Sequence, residues 1–215
     1  MRAVILGLGS DIARNLAQRL IIDGWEVDGT TRGTCDFASN ESIDRAVGGI
    51  ARPWDLLIVA VGNLVPVGKF TAIHPDDWAQ SIQINALGPL RMFHHLIPHR
   101  NKDAAAVFFS GTNPGKVNPG YSAYSASKAM LARAVQEINA ELDIKAFTLA
   151  PGFVQTKIHD ATVKAGVKND RLAIGGGTSH ETIYKCLQHL LTRPKAEVGG
   201  KSIYVPSWAD VWKEE

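Results

Sequence analysis

The chain has 215 residues, 45% hydrophobic and 20% charged, with a formal net charge of +2. That is the size of one domain with a full core, and no stretch has the composition of a disordered tail. Charge so nearly balanced and so evenly spread gives no nucleic-acid footprint. Met1 to Leu6 is apolar only briefly before Asp11 and Arg14, which argues against a signal peptide or a membrane span. Two distant cysteines, Cys35 and Cys186, form no disulfide framework or metal motif, so a cytoplasmic, reducing setting is expected.

Short apolar runs predict strands at Ala3–Leu6, Glu26–Thr30, Cys35–Phe37, Leu56–Ala60, Ala105–Phe109, Ala146–Leu149 and Ser202–Val205. Helical patterns lie between most of them, at Ile12–Asp23, Glu41–Ala51, Pro75–Arg100 with a break at Pro89, Ser122–Glu141 and His180–Leu191. Continuous apolar strands alternating with helices predict a single-domain, doubly wound α/β fold. Its mostly parallel, seven-stranded sheet carries helices on both faces, and ligands bind outside the carboxyl ends of the strands. Thr178-Ser179-His180-Glu181 reads as a capping box opening the last helix.

The first strand runs into Gly7-Leu8-Gly9-Ser10-Asp11-Ile12-Ala13. Glycines at a strand-to-helix junction let the chain turn sharply and let a diphosphate approach the free N–H groups of the helix. Ser10 or Asp11 can cap that helix. The second strand ends Gly29-Thr30-Thr31-Arg32-Gly33, a guanidinium with no carboxylate at the tip. An arginine there accommodates the 2′-phosphate of NADP, where an acidic residue would bind the free ribose of NAD, so NADPH is preferred over NADH.

Tyr124 and Lys128 stand four apart on the predicted helix Ser122–Glu141 and share a face. A cation beside a phenol favours the phenolate and makes the group useful for proton transfer near neutral pH. Pro89 has no N–H for the carbonyl of Asn85, four residues earlier, so the helix kinks and that carbonyl needs another partner, most simply a water. His94, His95 and His99 include a pair at ligand spacing, but Pro98 interrupts the turn and no further ligand type accompanies them; no metal is expected. Trp208 and Trp212 are expected to pack.

Taken together these motifs resemble the short-chain dehydrogenase/reductase superfamily, in its compact single-domain branch of the Rossmann type. Tyr124-Ser125-Ala126-Ser127-Lys128 is similar to the family's Tyr-x-x-x-Lys motif, and Pro151-Gly152-Phe153-Val154-Gln155-Thr156 to its Pro-Gly-x-Val-x-Thr segment. Trp78 through Asn85 to Gly88 resembles its helix with a catalytic Asn, and Gly199 to Ile203 the turn into its last strand. The resemblance implies an NADP-dependent carbonyl/alcohol oxidoreductase with Tyr124, Lys128, Asn85 and a hydroxyl as the catalytic set. Gly111 occupies the nominal place of that hydroxyl, and the flanking Ser110 is preferred over Thr112. The backbone carbonyl of Asn85 is expected to hold a relay water.

Cofactor contacts are expected from Gly7, Gly9, Ser10, Asp11 and Ile12 at the first turn, and from Thr31 and Arg32 at the second strand. Asp36 and Phe37 would meet the adenine, with Ala60, Val61 and Gly62 beyond the fourth strand. Pro151, Gly152, Val154 and Thr156 would lie along the nicotinamide and diphosphate. Two departures stand out: Asp11 replaces a family glycine and puts a charge near the diphosphate, and Ala60-Val61-Gly62 lacks the family's strand-tying Asn. Gly33-Thr34 leaves no room for the usual helix between the second and third strands. A short substrate loop at about 157–177, ending in Gly175-Gly176-Gly177, is expected to be mobile and to admit a small carbonyl or alcohol. A homodimer or homotetramer through the two long helices is implied. A cofactor-binding scaffold without turnover, or an enoyl or imine reductase, are the alternatives on the same fold.

Overall fold

The computed structural model describes residues 1–111, 117–167 and 177–208. Thr112, Gly175, Gly176 and Trp212 lie outside the described residues. Among the described residues, six parallel strands form one sheet in the order β2-β1-β3-β4-β5-β6. They are β1 (Arg2–Leu6), β2 (Glu26–Thr30), β3 (Trp54–Val59), β4 (Arg100–Phe109), β5 (Lys145–Ala150) and β6 (Ser202–Tyr204). The helices that matter below are α1 (Asp11–Ile22), α2 (Asn40–Ile50), α3 (Pro75–Ile82), α4 (Gly88–Leu96), α5 (Ser122–Glu141), the short α6 (Asp160–Lys164) and α7 (His180–Thr192).

The period of two along the strands sorts the core into two layers. Ala3, Ile5, Leu56, Ile58, Ala105, Val107 and Phe109 face α1 and α7, where Leu16, Leu20, Ile183 and Leu187 meet them. Val4, Leu6, Leu57, Val59, Ala106 and Phe108 face the other way, onto Ile43, Met92, Phe93, Leu131 and Val135 of α2, α4 and α5. This is the doubly wound sandwich the alternating pattern predicts. The strand order reverses beside β1, between the turns after β1 and β3, where such sheets open a crevice.

The sheet has six strands because Cys35–Phe37 is not one. Cys35 and Thr34 donate their N–H groups back to the carbonyl of Thr31, and the Asp36 carboxylate takes the Ala38 N–H at 3.0 Å. Local turns thus use the backbone groups a ladder would need, while Cys35 and Phe37 still bury their side chains. β2 is therefore the sheet edge. The helix expected to reach Arg100 ends at Leu96, passes through a 3-10 turn at Ile97–His99 containing Pro98, and gives way to β4. The cap of α7 is Ser179, whose hydroxyl accepts from Thr182 N–H at 3.0 Å. Glu181, expected to close a capping box with Thr178, pairs instead with Arg19 and Lys185.

Candidate active site

The carboxyl ends of the strands open into one cleft of about 1210 Å³. Of the residues expected from sequence to bind or react, all those described line it except Asn85. At one end, Gly7 sits at φ +84, and an added Cβ would press within 3.0 Å of the backbone of Ala60 and Val61. Glycine is therefore required for the turn to pass so close to the end of β3. Gly9 faces open space, with nothing within 4 Å of a Cβ placed there. Thr30 takes the N–H groups of Gly7 and Leu8, and Ser10 Oγ caps the helix by accepting from Ala13 at 3.2 Å. The first-turn N–H groups of Asp11 and Ile12 have no intrahelical acceptor and are the donors left for an anion. An open glycine turn backed by free helical donors fits a dinucleotide diphosphate.

Beyond β2, Thr31 and the exposed Arg32 form the far rim of the cleft. Asp36 is exposed beside them, its N–H bonded to Ser42 Oγ at 2.9 Å, and Phe37 is buried behind it. With no helix between β2 and Cys35, this pocket is open at the sheet edge, as the short Gly33-Thr34 connection predicts.

At the other end, α5 carries Tyr124 and Lys128 into the cleft. Lys128 is 5% exposed, and its ammonium donates to the carbonyls of Val61 at 2.9 Å and Phe109 at 3.0 Å, tying the ends of β3 and β4. It lies 5.9 Å from the centroid of the Tyr124 ring. Burial pushes the Tyr124 phenol up to about 12 and brings the Lys128 ammonium down to about 8. Desolvation is the cause of both shifts.

Ser110 follows β4, 9% exposed, with its N–H on Leu149 O at 3.0 Å. Gly111 lies against the Tyr124 ring: a Cβ there would come within 2.4 Å of Tyr124 Cε1 and 2.7 Å of its hydroxyl. The ring fills the space a side chain at position 111 would need.

The kink predicted at Asn85 is a π-helical segment, Gln83–Leu87, between α3 and α4, in which Gly88 N–H reaches Gln83 O. Asn85 is fully buried. Its amide donates to Asn63 O at 2.8 Å and Ser81 O at 2.9 Å, and its oxygen accepts from Asn63 N–H at 2.7 Å. Its side chain therefore anchors the turn after β3.

Among the further residues that line the cleft, Ser125, Lys157 and His159 carry polar groups of interest. Ser125 Oγ and His159 Nδ1 are buried with no hydrogen-bond partner among the described residues. The His159 ring lies 5.0 Å from that of Phe153, and burial holds its pKa below the usual value. Lys157 reaches across to the glycine turn, its N–H on Asp11 Oδ2 at 3.2 Å. Ser125 lies inside the Tyr-x-x-x-Lys segment, and Lys157 and His159 lie at the start of the substrate loop expected at about 157–177, with no local signal that singles them out.

An all-parallel doubly wound sheet carries a glycine turn at its switch point and a Tyr-x-x-x-Lys helix beside it. A family model described as enoyl-(acyl carrier protein) reductase matches residues 11–205, and the chain belongs to this short-chain dehydrogenase/reductase family of oxidoreductases. An uncharacterized oxidoreductase of Schizosaccharomyces pombe is 28% identical over 149 residues, 65% of this chain and 56% of that protein. The chain thus spans little more than half the length of that relative. A small-chain dehydrogenase solved in complex with NADPH is 20% identical, with a TM-score of 0.81 over 95% of both chains. The 3-ketoacyl-(acyl-carrier-protein) reductase of Brucella melitensis, solved with NADH, is 18% identical, with a TM-score of 0.77 over 95% of this chain and 96% of that one. These two structures share the fold. Among the described residues, no helix is long and apolar enough to cross a membrane.

Proposed function

We propose that the protein interconverts a carbonyl and an alcohol using NADP(H), with Tyr124 as proton donor and acceptor. The observation that carries this reading is the convergence of Tyr124, Lys128 and Ser110 in the same cleft as the glycine turn. When bound, the nicotinamide cofactor supplies or takes up the hydride. Tyr124 holds a proton through the neutral range, because burial keeps its phenol at about 12, and so can donate it to a carbonyl oxygen. Lys128 stays largely protonated at pH 7 and presents a positive charge beneath the ring, with its third N–H free for a ribose hydroxyl. Ser110 donates to the oxygen as charge develops there. The carbonyl of Asn85, in the π-helical segment, holds the relay water in this reading.

Arg32 supports NADPH over NADH, and Asp36, Thr156 and the Ala60–Gly62 turn complete the cofactor's path. Self-association through α4 and α5 belongs to the same proposal; Leu87 and Met130, beside and on those helices, are exposed apolar side chains. A second reading, reduction of an activated carbon–carbon double bond, is favoured by Gly111 standing where the family places its hydroxyl and by the description of the matching family model.

The test is oxidation of NADPH across a panel of aldehydes, ketones and enoyl thioesters. With the best acceptor, Tyr124→Phe is expected to lower kcat at least about 100-fold while leaving the NADPH Kd within about twofold. Undiminished turnover by Tyr124→Phe would remove Tyr124 from the mechanism, and turnover confined to enoyl thioesters would favour the second reading.

A further inference from the structure

We infer that Lys157 is the cation that meets the cofactor's diphosphate and that Asp11 is the residue that positions it. This rests on reading the cleft as a dinucleotide site and adds to it a binding residue and the partner that orients it.

Four cationic side chains line the cleft: Arg32, Lys128, Lys157 and Lys164. Lys128 directs its ammonium at the Val61 and Phe109 carbonyls. Arg32 stands past the end of β2 and Lys164 at the end of α6, so neither is placed at the glycine turn. Lys157 is: its Nζ lies 3.4 Å from Gly9 O and 3.6 Å from Asp11 Oδ1, while Arg14, which does not line the cleft, donates to the same Gly9 carbonyl at 2.9 Å. The other oxygen of Asp11 accepts the Lys157 backbone N–H at 3.2 Å, linking residues 146 apart in sequence. One carboxylate thus holds both the backbone and the ammonium of Lys157 over the turn.

The arrangement accounts for an acidic side chain at the mouth of an anion site. An unpaired Asp11 would repel a diphosphate and offset what the first-turn N–H groups of α1 contribute. Paired with Lys157, its charge is cancelled where the diphosphate would lie. The Lys157 side chain is 58% exposed and the Asp11 side chain 31%. Such a pair is screened and weak, so the ammonium can exchange the Gly9 carbonyl for a phosphate oxygen at little cost. Asp11 in place of glycine and Lys157 after Thr156 are therefore two halves of one device.

The experiment is titration of the full-length protein with NADPH and with NADH, followed by nicotinamide fluorescence. Lys157→Ala is expected to raise both Kd values about tenfold and by the same factor, because the diphosphate is common to both. Arg32→Ala should raise chiefly the NADPH value. In an Asp11→Gly background the same lysine substitution should raise Kd less than about threefold, since no carboxylate remains to be compensated. Equal, near wild-type Kd values for Lys157→Ala would overturn the assignment while leaving the dinucleotide site standing. An effect on NADPH alone would move Lys157 to the 2′-phosphate and overturn it too. A wild-type protein that binds neither nucleotide would overturn both the site and this reading of Lys157. The exposed position of Lys157 keeps folding out of the comparison, checked by unchanged circular dichroism.

Discussion

The contact between Gly111 and Tyr124 decides how the Tyr124 phenol can stand. With a Cβ at position 111 falling within 2.4–2.8 Å of the Tyr124 ring atoms, any side chain there must displace the ring. Gly111→Ser therefore adds a hydroxyl and misplaces the phenol in the same step. Both Gly111→Ser and Gly111→Ala are expected to lower kcat by at least about tenfold, because a shift of order an ångström in the proposed proton donor is costly. Kinetics on an identified acceptor, with a pH profile of kcat, check this. A gain of turnover in Gly111→Ser would mean that the ring yields and that the hydroxyl belongs at position 111. Sequence spacing showed Gly111 in an unexpected place; that the tyrosine ring occupies the vacated volume is a through-space fact with no local signature.

At the scale of elements, the α3–α4 join shows how one missing donor is absorbed. Pro89 offers no N–H, and the backbone widens into the π-helical segment Gln83–Leu87, which sets Asn85 against the turn after β3. Asn85→Ala would leave the part-buried N–H and carbonyl of Asn63 without their partners. The expected loss of stability is about 2–3 kcal/mol, read from urea unfolding as a lower midpoint at unchanged m. The proline made the irregularity legible in advance. The partners of the Asn85 side chain were not, because they lie on a turn 22 residues away. Cys35–Phe37 failed as a strand for a related reason: its apolar residues are buried as predicted, but the Cys35 N–H turns back to Thr31 O and the Asp36 N–H is taken by Ser42 Oγ.

For the whole molecule, Lys128 bears on stability, since its ammonium joins the ends of β3 and β4 beneath the cleft. Burial lowers its pKa from 10.5 to about 8, so between those values the unfolded chain holds a proton that the folded chain has given up. Stability therefore rises with pH through that window relative to Lys128→Met, by up to about 3 kcal/mol. Tyr124 acts in the opposite sense, its pKa raised from 10.0 to about 12, so its contribution falls only at higher pH. Urea unfolding of wild type and Lys128→Met at pH 8 and pH 10 isolates the lysine; a difference that does not change with pH would contradict the assigned burial of its charge.

The sequence by itself determined the sandwich, its parallel strands, the glycine turn and the Tyr124–Lys128 face. Each of these follows from a short-range period or from backbone chemistry confined to a few residues. Only the tertiary structure decided that β2 is the sheet edge, that Asp11 meets Lys157, that the Lys128 ammonium engages the Val61 and Phe109 carbonyls, and that Gly111 makes room for the ring. Those outcomes depend on distances and desolvation between segments far apart in the chain, which no local pattern encodes.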